Sequence, residues 1–369
     1  MHLKNIRLQQ FKNYRQATVR FSSHINCFLG PNGSGKTNLL DAIHYLCLTK
    51  SAFGHVDANT IMHEGAYFTV FGDFDIQSKD IEIRCVVESG KKKQLIQNGK
   101  ALEKLSEHIG LLPIVLIAPD DTQLIREGSE ERRRFVDNML SQLDKSYLEQ
   151  LVRYQHFLKQ RNALIKQFAE RGRLDKQLIE LYDRELIALS VQIAKARSSF
   201  MVEYLPFIAE FYGFISQQQE DVDVVYETHC LDEGFEEVFR SNLQQDLALR
   251  RTNKGIHKDD FIYTIASHPI KKFGSQGQQK SFVIALKLAQ FQFFLSKKGI
   301  KPILLLDDIF DKLDDQRIGK LMELVADSRF GQLFITDARP ERSKQILAQL
   351  GSEVRFFKIE AGSVLLEDQ

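Results

Sequence analysis

Gly30, Gly35, Lys36 and Thr37 stand in the spacing G-x-x-x-x-G-K-T within "FLGPNGSGKTNLLDAI", residues 28–43. Glycine lets a loop curl until several backbone N–H groups point inward, and that concavity holds anionic oxygens. A helix starting directly after the loop adds the partial positive charge of its N-terminus. Lys36 is then placed to reach the β- and γ-phosphates of a nucleoside triphosphate such as ATP, and the Thr37 hydroxyl to ligate Mg²⁺. The expected cradle is Gly30, Pro31, Asn32, Gly33, Ser34, Gly35, Lys36 and Thr37. The context agrees, because an apolar strand over residues 24–29 runs into the loop. Leu39, Leu40, Ile43, Leu46 and Cys47 follow it at helical spacing.

Magnesium takes oxygen ligands, so an acidic partner is needed. "PILLLDD" is a continuous apolar run of the kind a strand buried on both faces requires, and it ends on Asp307 and Asp308. Two adjacent acids at a buried strand end are costly unless they are paired or face a metal. Asp307 is assigned to magnesium, and Asp308 to orienting or deprotonating an attacking water. A third element, "GSQGQQKSFVIALKLAQF", begins at Gly274. Ser275 and Gln278 have the Ser-x-x-Gln spacing of a helix capping box. A capped helix start containing glycine is also an anion site, so the residues alone leave both readings open.

These groups must be positioned by an interrupted fold. Residues 66–105 read as short antiparallel strands punctuated by "SGKKK" and by Asn98-Gly99, a type I′ hairpin signal. From about Glu130 to Tyr212 the pattern turns helical. Tyr147, Leu151, Tyr154, Leu158, Ile165 and Phe168 form one apolar seam. Leu174, Leu178, Leu181, Leu189, Ile193 and Phe200 form another. Two long antiparallel helices joined at Gly172 account for both seams, either as a subdomain packed on the core or, as the narrow seam favours, as an arm. Beyond them Ile318, Leu321, Met322 and Val325 mark a helix and "QLFIT" a strand, so the order β-α-β implies a parallel sheet. The expected organisation is an α/β head in two parts, residues 1–128 and 253–369, with a helical arm over 129–252 inserted between them.

The bulk properties narrow the function. Of 369 residues, 43% are hydrophobic and 27% charged, as in ordinary globular chains, and the net charge is +1. A uniformly basic nucleic-acid binder is thereby excluded, and any polyanion must meet a local patch. The four cysteines show neither a CxxC pair nor metal spacing and read as reduced thiols of a cytosolic protein. The first residues hold no apolar signal segment, and "FVIALKLAQFQFFL" is too short and too polar to span a membrane.

The order of glycine loop, Ser-x-Gly-Gln helix start and Asp-ended strand resembles the ABC-type ATPases. The finer resemblance is to the RecF family of bacterial recombination and repair ATPases, relatives of the SMC proteins. It rests on "LQQFKNY", "GPNGSGKTNLLDAIHYL", "IAPDDTQLIREGSEERRRFVDNML", "HKDD" at 257–260, "GSQGQQKS" and "LLLDDIFDKLD", which span nearly the whole chain. The resemblance implies an ABC-type ATPase head with a parallel sheet core, an antiparallel β-subdomain and a short coiled-coil-like arm. It implies a cytoplasmic protein that binds ATP with Mg²⁺ and binds DNA, duplex and gapped. It further implies an ATP-dependent homodimer in which Ser275, Gln276, Gly277 and Gln278 of one copy close on the γ-phosphate held by the other. Cooperation with RecR in loading RecA at gapped DNA would follow. Asp314, in "DKLD", matches the loop that crosses such a dimer interface. The chain departs from these relatives in three places. Phe53 lies near the position of a family arginine. Asp308 replaces the glutamate of ABC transporters. Thr336 or Asp337 stands where transporters carry a switch histidine. Gln123 is the nearest candidate for the glutamine that links head to arm. Slow, switch-like hydrolysis is expected.

DNA is held mainly through phosphates, so clustered cations are the candidates. They are Lys91, Lys92 and Lys93 on a hairpin tip; Arg132, Arg133 and Arg134, which have acids nearby to pair with; and Arg250, Arg251 and Lys254. The hairpin lysines are the first choice, and a solvated charge run is the competing reading for each group. Other functions are less well served by these residues. A nuclease-associated ATPase of SMC type needs a further catalytic domain. A transporter's nucleotide-binding subunit does not call for the inserted arm. A nucleotide kinase leaves Ser275–Gln278 unexplained.

Overall fold

The computed structural model describes the chain apart from residue 55 and residues 173–174, 218–219, 328 and 368–369. Leu174, placed above on the second helical seam, lies outside the described residues. The chain forms two compact units. One comprises Met1–Asp121, Phe214–Gln217 and Lys280–Gln369; the other comprises Thr122–Gly213 and Gln218–Gln279.

The first unit holds two six-stranded sheets. One runs in the order Ser363–Leu366, Val354–Glu360, Ile25–Leu29, Leu333–Asp337, Ile303–Leu306, Ile114–Ile117. Its neighbours are parallel except for the closing hairpin of the first two strands. Ile25–Leu29 and Ile303–Leu306 are buried at every residue, which explains their unbroken apolar runs. The other sheet is antiparallel, in the order Tyr14–Arg20, His2–Phe11, Tyr67–Ile76, Lys79–Glu88, Gln94–Gln97, Lys100–Ala101. Asn98 and Gly99 both have positive φ, 49° and 76°, as the type I′ turn demands.

The two N-terminal strands were not legible as strands. A register shift between Leu3 and Asn5 breaks the alternation of His2–Phe11, so its buried residues fall at 3, 6, 8 and 11 rather than at every second position. The helix Lys36–Leu48 is buried nearly all round, as its composition requires, and packs on strands of both sheets.

The second unit contains the helices Ser129–Leu143 and Lys145–Arg171 and most of Lys176–Ser216. It also contains the antiparallel strands Val222–Glu227, Asp260–Ile265 and His268–Pro269. Gly172 caps the first long helix with φ 69°, its N–H donating to the Phe168 carbonyl at 2.8 Å. Arg153–Glu185 at 2.8 Å and the Phe157–Tyr182 ring pair at 6.1 Å join the two long helices side by side. The second helix continues through Pro206 to Ser216, well past the Phe200 at which its apolar seam was traced.

Buried ion pairs stiffen this unit. Arg161 is fully buried and meets Asp183 and Asp246, each at 2.6 Å. Arg197 meets Asp137 and Asp259, each at 2.8 Å. Among the described residues no helix is long and apolar enough to cross a membrane.

Candidate functional site

The glycine loop leaves the strand Ile25–Leu29 at its C-terminal end, between Leu333–Asp337 and Val354–Glu360. Close approach dictates its glycines. A Cβ on Gly30 would sit 2.3 Å from the Ile359 carbonyl oxygen, and one on Gly35 would sit 2.4 Å from the Asn13 amide nitrogen. Gly35 also has φ 115°, a conformation that L side chains rarely adopt. Pro31, Asn32 and Gly33 are exposed, whereas Ser34, Gly35 and Lys36 are buried. The Lys36 ammonium curls over the loop, donating to the carbonyls of Gly30 at 2.7 Å and Pro31 at 3.0 Å. Burial holds this ammonium below its ordinary value, while Asp308, Asp307 and Asp337 push it back up. The Ser34 hydroxyl is buried in the cradle with no hydrogen-bond partner. An orphaned donor and two Cβ-free glycines fit a small anionic group.

The acidic side of the site comes from the strand Ile303–Leu306, two places along the sheet from Ile25–Leu29. Thr37 Oγ1 donates to Asp307 at 2.9 Å across 270 residues of sequence. Thr336, on the intervening strand, donates to the same carboxylate at 2.7 Å. Its Oγ1 also accepts from the Asp308 N–H at 2.9 Å. Burial pushes the Asp307 carboxyl up from its ordinary value, and the hydroxyls of Thr336 and Thr37 pull it back. A buried carboxylate oxygen beside a threonine hydroxyl is a hard-oxygen donor pair of the kind magnesium takes. Asp308 adopts φ 48° at the start of the next helical turn and is half-buried. Asp337 is fully buried, its carboxylate accepting from Ser343 Oγ and from the Ala338 N–H. Of the two alternatives for a γ-phosphate sensor, the geometry ties Asp337 to Ser343 on the helix Pro340–Ala348 and sets Thr336 on the Asp307 carboxylate.

Sequence reasoning missed the first hairpin's contribution. Asn13 Nδ2 donates to the Ser34 carbonyl at 3.2 Å and Tyr14 OH to the Gly35 carbonyl at 2.9 Å. Asn38 Nδ2 in turn donates to Asn13 Oδ1 at 2.8 Å. Lys12, from the same turn, pairs with buried Asp41 at 2.6 Å and lies 5.7 Å from the Phe53 ring. The only sequence signal was "FKNY" itself, since these contacts join segments more than twenty residues apart.

The remaining predicted residues fall elsewhere. Ser275 and Gln278 form the capping box reciprocally: Ser275 N–H donates to Gln278 Oε1 at 2.7 Å, and Gln278 N–H to Ser275 Oγ at 3.2 Å. Ser275 and Gln276 are exposed and Gly277 half-buried. These residues belong to the second unit, as does Gln123, which is exposed on a one-turn helix. Asp314 caps the helix Asp315–Ala326, accepting from the Arg317 N–H at 3.0 Å and pairing with its guanidinium.

The cation runs divide. Lys91 is exposed beside Glu88 at 2.9 Å, and Lys92 is exposed. Lys93 does not share the tip. It pairs with Asp57 at 2.8 Å, donates to the Thr49 carbonyl and lies over the Tyr45 ring, directly before the strand Gln94–Gln97. Arg132 is buried and bidentate to Asp260 at 2.7 and 2.9 Å. Arg133 donates to Ser129 and to the Asp259 carbonyl, each at 2.6 Å, and Arg134 pairs with Glu130 and Glu131. Arg132 and Arg134 therefore pair with the acids near them, and Arg133 is held by a hydroxyl and a backbone carbonyl.

The sequence matches the family model of the RecF/RecN/SMC N terminal domain over residues 2–356. It is 48% identical to the DNA replication and repair protein RecF of Cytophaga hutchinsonii, covering 99% of this chain and 96% of that one. It is 45% identical to the protein of the same name from Flavobacterium johnsoniae, covering 97% and 100%. A solved structure of the recombination mediator protein RecF-ATP in the RecFOR pathway superposes with a TM-score of 0.88 at 27% identity, covering 100% of this chain and 98% of that one. An SMC head bound to the C-terminal winged-helix domain of ScpA, 17% identical with a TM-score of 0.55, shares the fold over 100% of this chain and 97% of its own. The fold is the α/β head of these ATPases, and the chain belongs to the RecF family of DNA replication and repair proteins.

Proposed function

We propose that the chain is an ATP-switched DNA-repair protein in which two copies close on two nucleotides, with slow hydrolysis resetting the dimer. The observation that carries this reading is the meeting of Thr37 and Asp307 at 2.9 Å beside the phosphate cradle. The cradle of Gly30–Thr37 holds the triphosphate, and Lys36 leaves its loop carbonyls for the β- and γ-phosphate oxygens. Thr37 and Asp307 would hold Mg²⁺, which would supply positive charge against that of the phosphates. Asp308, held in a left-handed conformation with its N–H on Thr336, orients or deprotonates the attacking water. Thr336 touches the carboxylate on one side and the Asp308 backbone on the other, so it couples the two acids.

Ser275, Gln276, Gly277 and Gln278 of one copy meet the γ-phosphate held by its twin, and Asp314 lies on the crossing loop. The capping box fixes where this helix starts, and the partial positive charge of a helix N-terminus favours an anion there. Binding of duplex and gapped DNA, cooperation with RecR in RecA loading, and a cytoplasmic location complete the reading. They rest on the resemblance to the RecF family, whose relatives here are named for DNA replication and repair and for the RecFOR pathway. Measuring ATP hydrolysis with and without gapped DNA tests it. A slow rate raised by DNA is expected, and a fast rate indifferent to DNA contradicts the switch.

A further inference from the structure

We propose that the loop Arg250–Lys258 of the second unit is a preformed contact for the phosphodiester backbone of DNA, with Arg251, Lys254 and Lys258 as its cations. The inference rests on the DNA-binding reading above and places the contact where the hairpin lysines do not.

The "HKDD" stretch, 257–260, separates into anchors and one outlier. His257 meets Tyr154 OH at 2.6 Å and the Thr252 carbonyl at 3.1 Å. Asp259 is buried against Arg197 and Asp260 is bidentate to Arg132. Lys258 alone is turned to solvent. The rest of the loop repeats that division. Thr252 N–H and Oγ1 donate to Asn162 Oδ1 at 2.7 and 2.8 Å, and fully buried Arg161 donates to Thr252 Oγ1 at 2.8 Å. Asn253 N–H donates to Asp246 Oδ1 at 2.8 Å and Arg251 N–H to the Asp246 carbonyl at 3.0 Å. The backbone is thus pinned from beneath by a buried ionic network, while Arg250, Arg251 and Lys258 are exposed and Lys254 is half-buried, with no ion pair to any of the four among the described residues.

Lys254 and Lys258 border a groove of about 640 Å³ with Asn253, Thr228 and Tyr226. Two of its three carboxylates, Asp259 and Asp260, are neutralised by arginines, and exposed Glu227 is the third. Burial, and then the charges of Arg251 and Arg133, hold the Lys258 ammonium below its ordinary value while Asp246 pulls it back, so the cations here outnumber the nearby carboxylates of Glu227 and Asp246. Because the backbone is already pinned, the loop itself need not be ordered when its cations meet a polyanion. No base-reading set accompanies it, which fits recognition of a backbone rather than a sequence.

The test is the salt dependence of binding to a fluorescent DNA duplex by the full chain. It compares wild type, the triple variant Arg251→Gln/Lys254→Gln/Lys258→Gln and the hairpin pair Lys91→Gln/Lys92→Gln. Each lost phosphate contact removes about 0.9 from the slope of log K against log salt. The triple variant is expected to lose roughly 2 to 3 from the slope, and Lys254→Arg alone to retain it. A loss below about 0.9 in the triple variant, or a loss confined to the hairpin pair, overturns the proposal. Failure of wild type to bind duplex at all would overturn the DNA reading itself and this inference with it.

Discussion

Replacing Gly35 with alanine should damage the phosphate loop in two separable ways. The first is backbone strain. Gly35 has φ 115° and ψ 6°, and holding an L residue in so sparsely populated a region costs about 1–3 kcal/mol. The second is a collision, because the new methyl would lie 2.4 Å from Asn13 Nδ2. The Asn13 amide must then leave the Ser34 carbonyl and the Asn38 amide, and two hydrogen bonds at about 1 kcal/mol each go with it. Gly35→Ala should therefore destabilise by roughly 3–5 kcal/mol. In an Asn13→Ala background only the backbone part remains. The double variant should be about 2 kcal/mol less destabilised than the sum of the singles. Urea unfolding of the four proteins measures this coupling. Additivity within about 0.5 kcal/mol would refute the claim that the first hairpin braces the loop.

Further expectations follow from the same geometry. Lys36→Ala removes a charge-assisted phosphate contact worth about 1.5–3 kcal/mol, so ATP should bind roughly 10- to 150-fold more weakly in equilibrium titration. Asp307 has a raised folded value, so the stability it contributes is present below the unfolded value near 3.8 and lost as pH rises through the folded one. Asp307→Asn should remove that loss from the nucleotide-free protein while abolishing hydrolysis, as melting curves against pH and a phosphate-release assay would show. Burial lowers His44 and His257 to about 4, so the stability of their neutral forms is present above about 6.5 and lost as pH falls towards 4. His44→Gln should make the acid limb of a stability–pH curve shallower. Arg161→Met leaves Asp183 and Asp246 buried without their partner and should cost about 3–5 kcal/mol in urea unfolding, less at acid pH, where Asp183, already pushed up by burial, protonates.

What the sequence disclosed was whatever depends on local spacing. The phosphate loop, the acids ending "ILLLDD", the turn at Gly172 and the Asn98-Gly99 hairpin each carry their geometry within a few residues. The capping box of Ser275 and Gln278 does as well. Contacts between distant segments stayed hidden. Asn13 meets Ser34 because two β-hairpin residues reach a loop on another sheet, and nothing in "FKNY" states that distance. Arg132 and Arg133 read as a basic patch until Asp260 and the Asp259 carbonyl, more than a hundred residues on, arrive beside them. Lys93 looked like its neighbours, yet a partner at Asp57 draws it in. The strand His2–Phe11 was masked by its own bulge, which spaces the apolar residues almost as a helix would.

The central claim is that nucleotide joins two copies, each completing the other's site. Sedimentation velocity with ATP and Mg²⁺ tests it most directly, on Lys36→Ala alone, Ser275→Arg alone and an equal mixture. Each variant alone should sediment as a monomer. The mixture should form a dimer, because one intact cradle then faces one intact Ser275. A mixture that stays monomeric while wild type dimerises, or a wild type that binds ATP and never dimerises, would contradict the account.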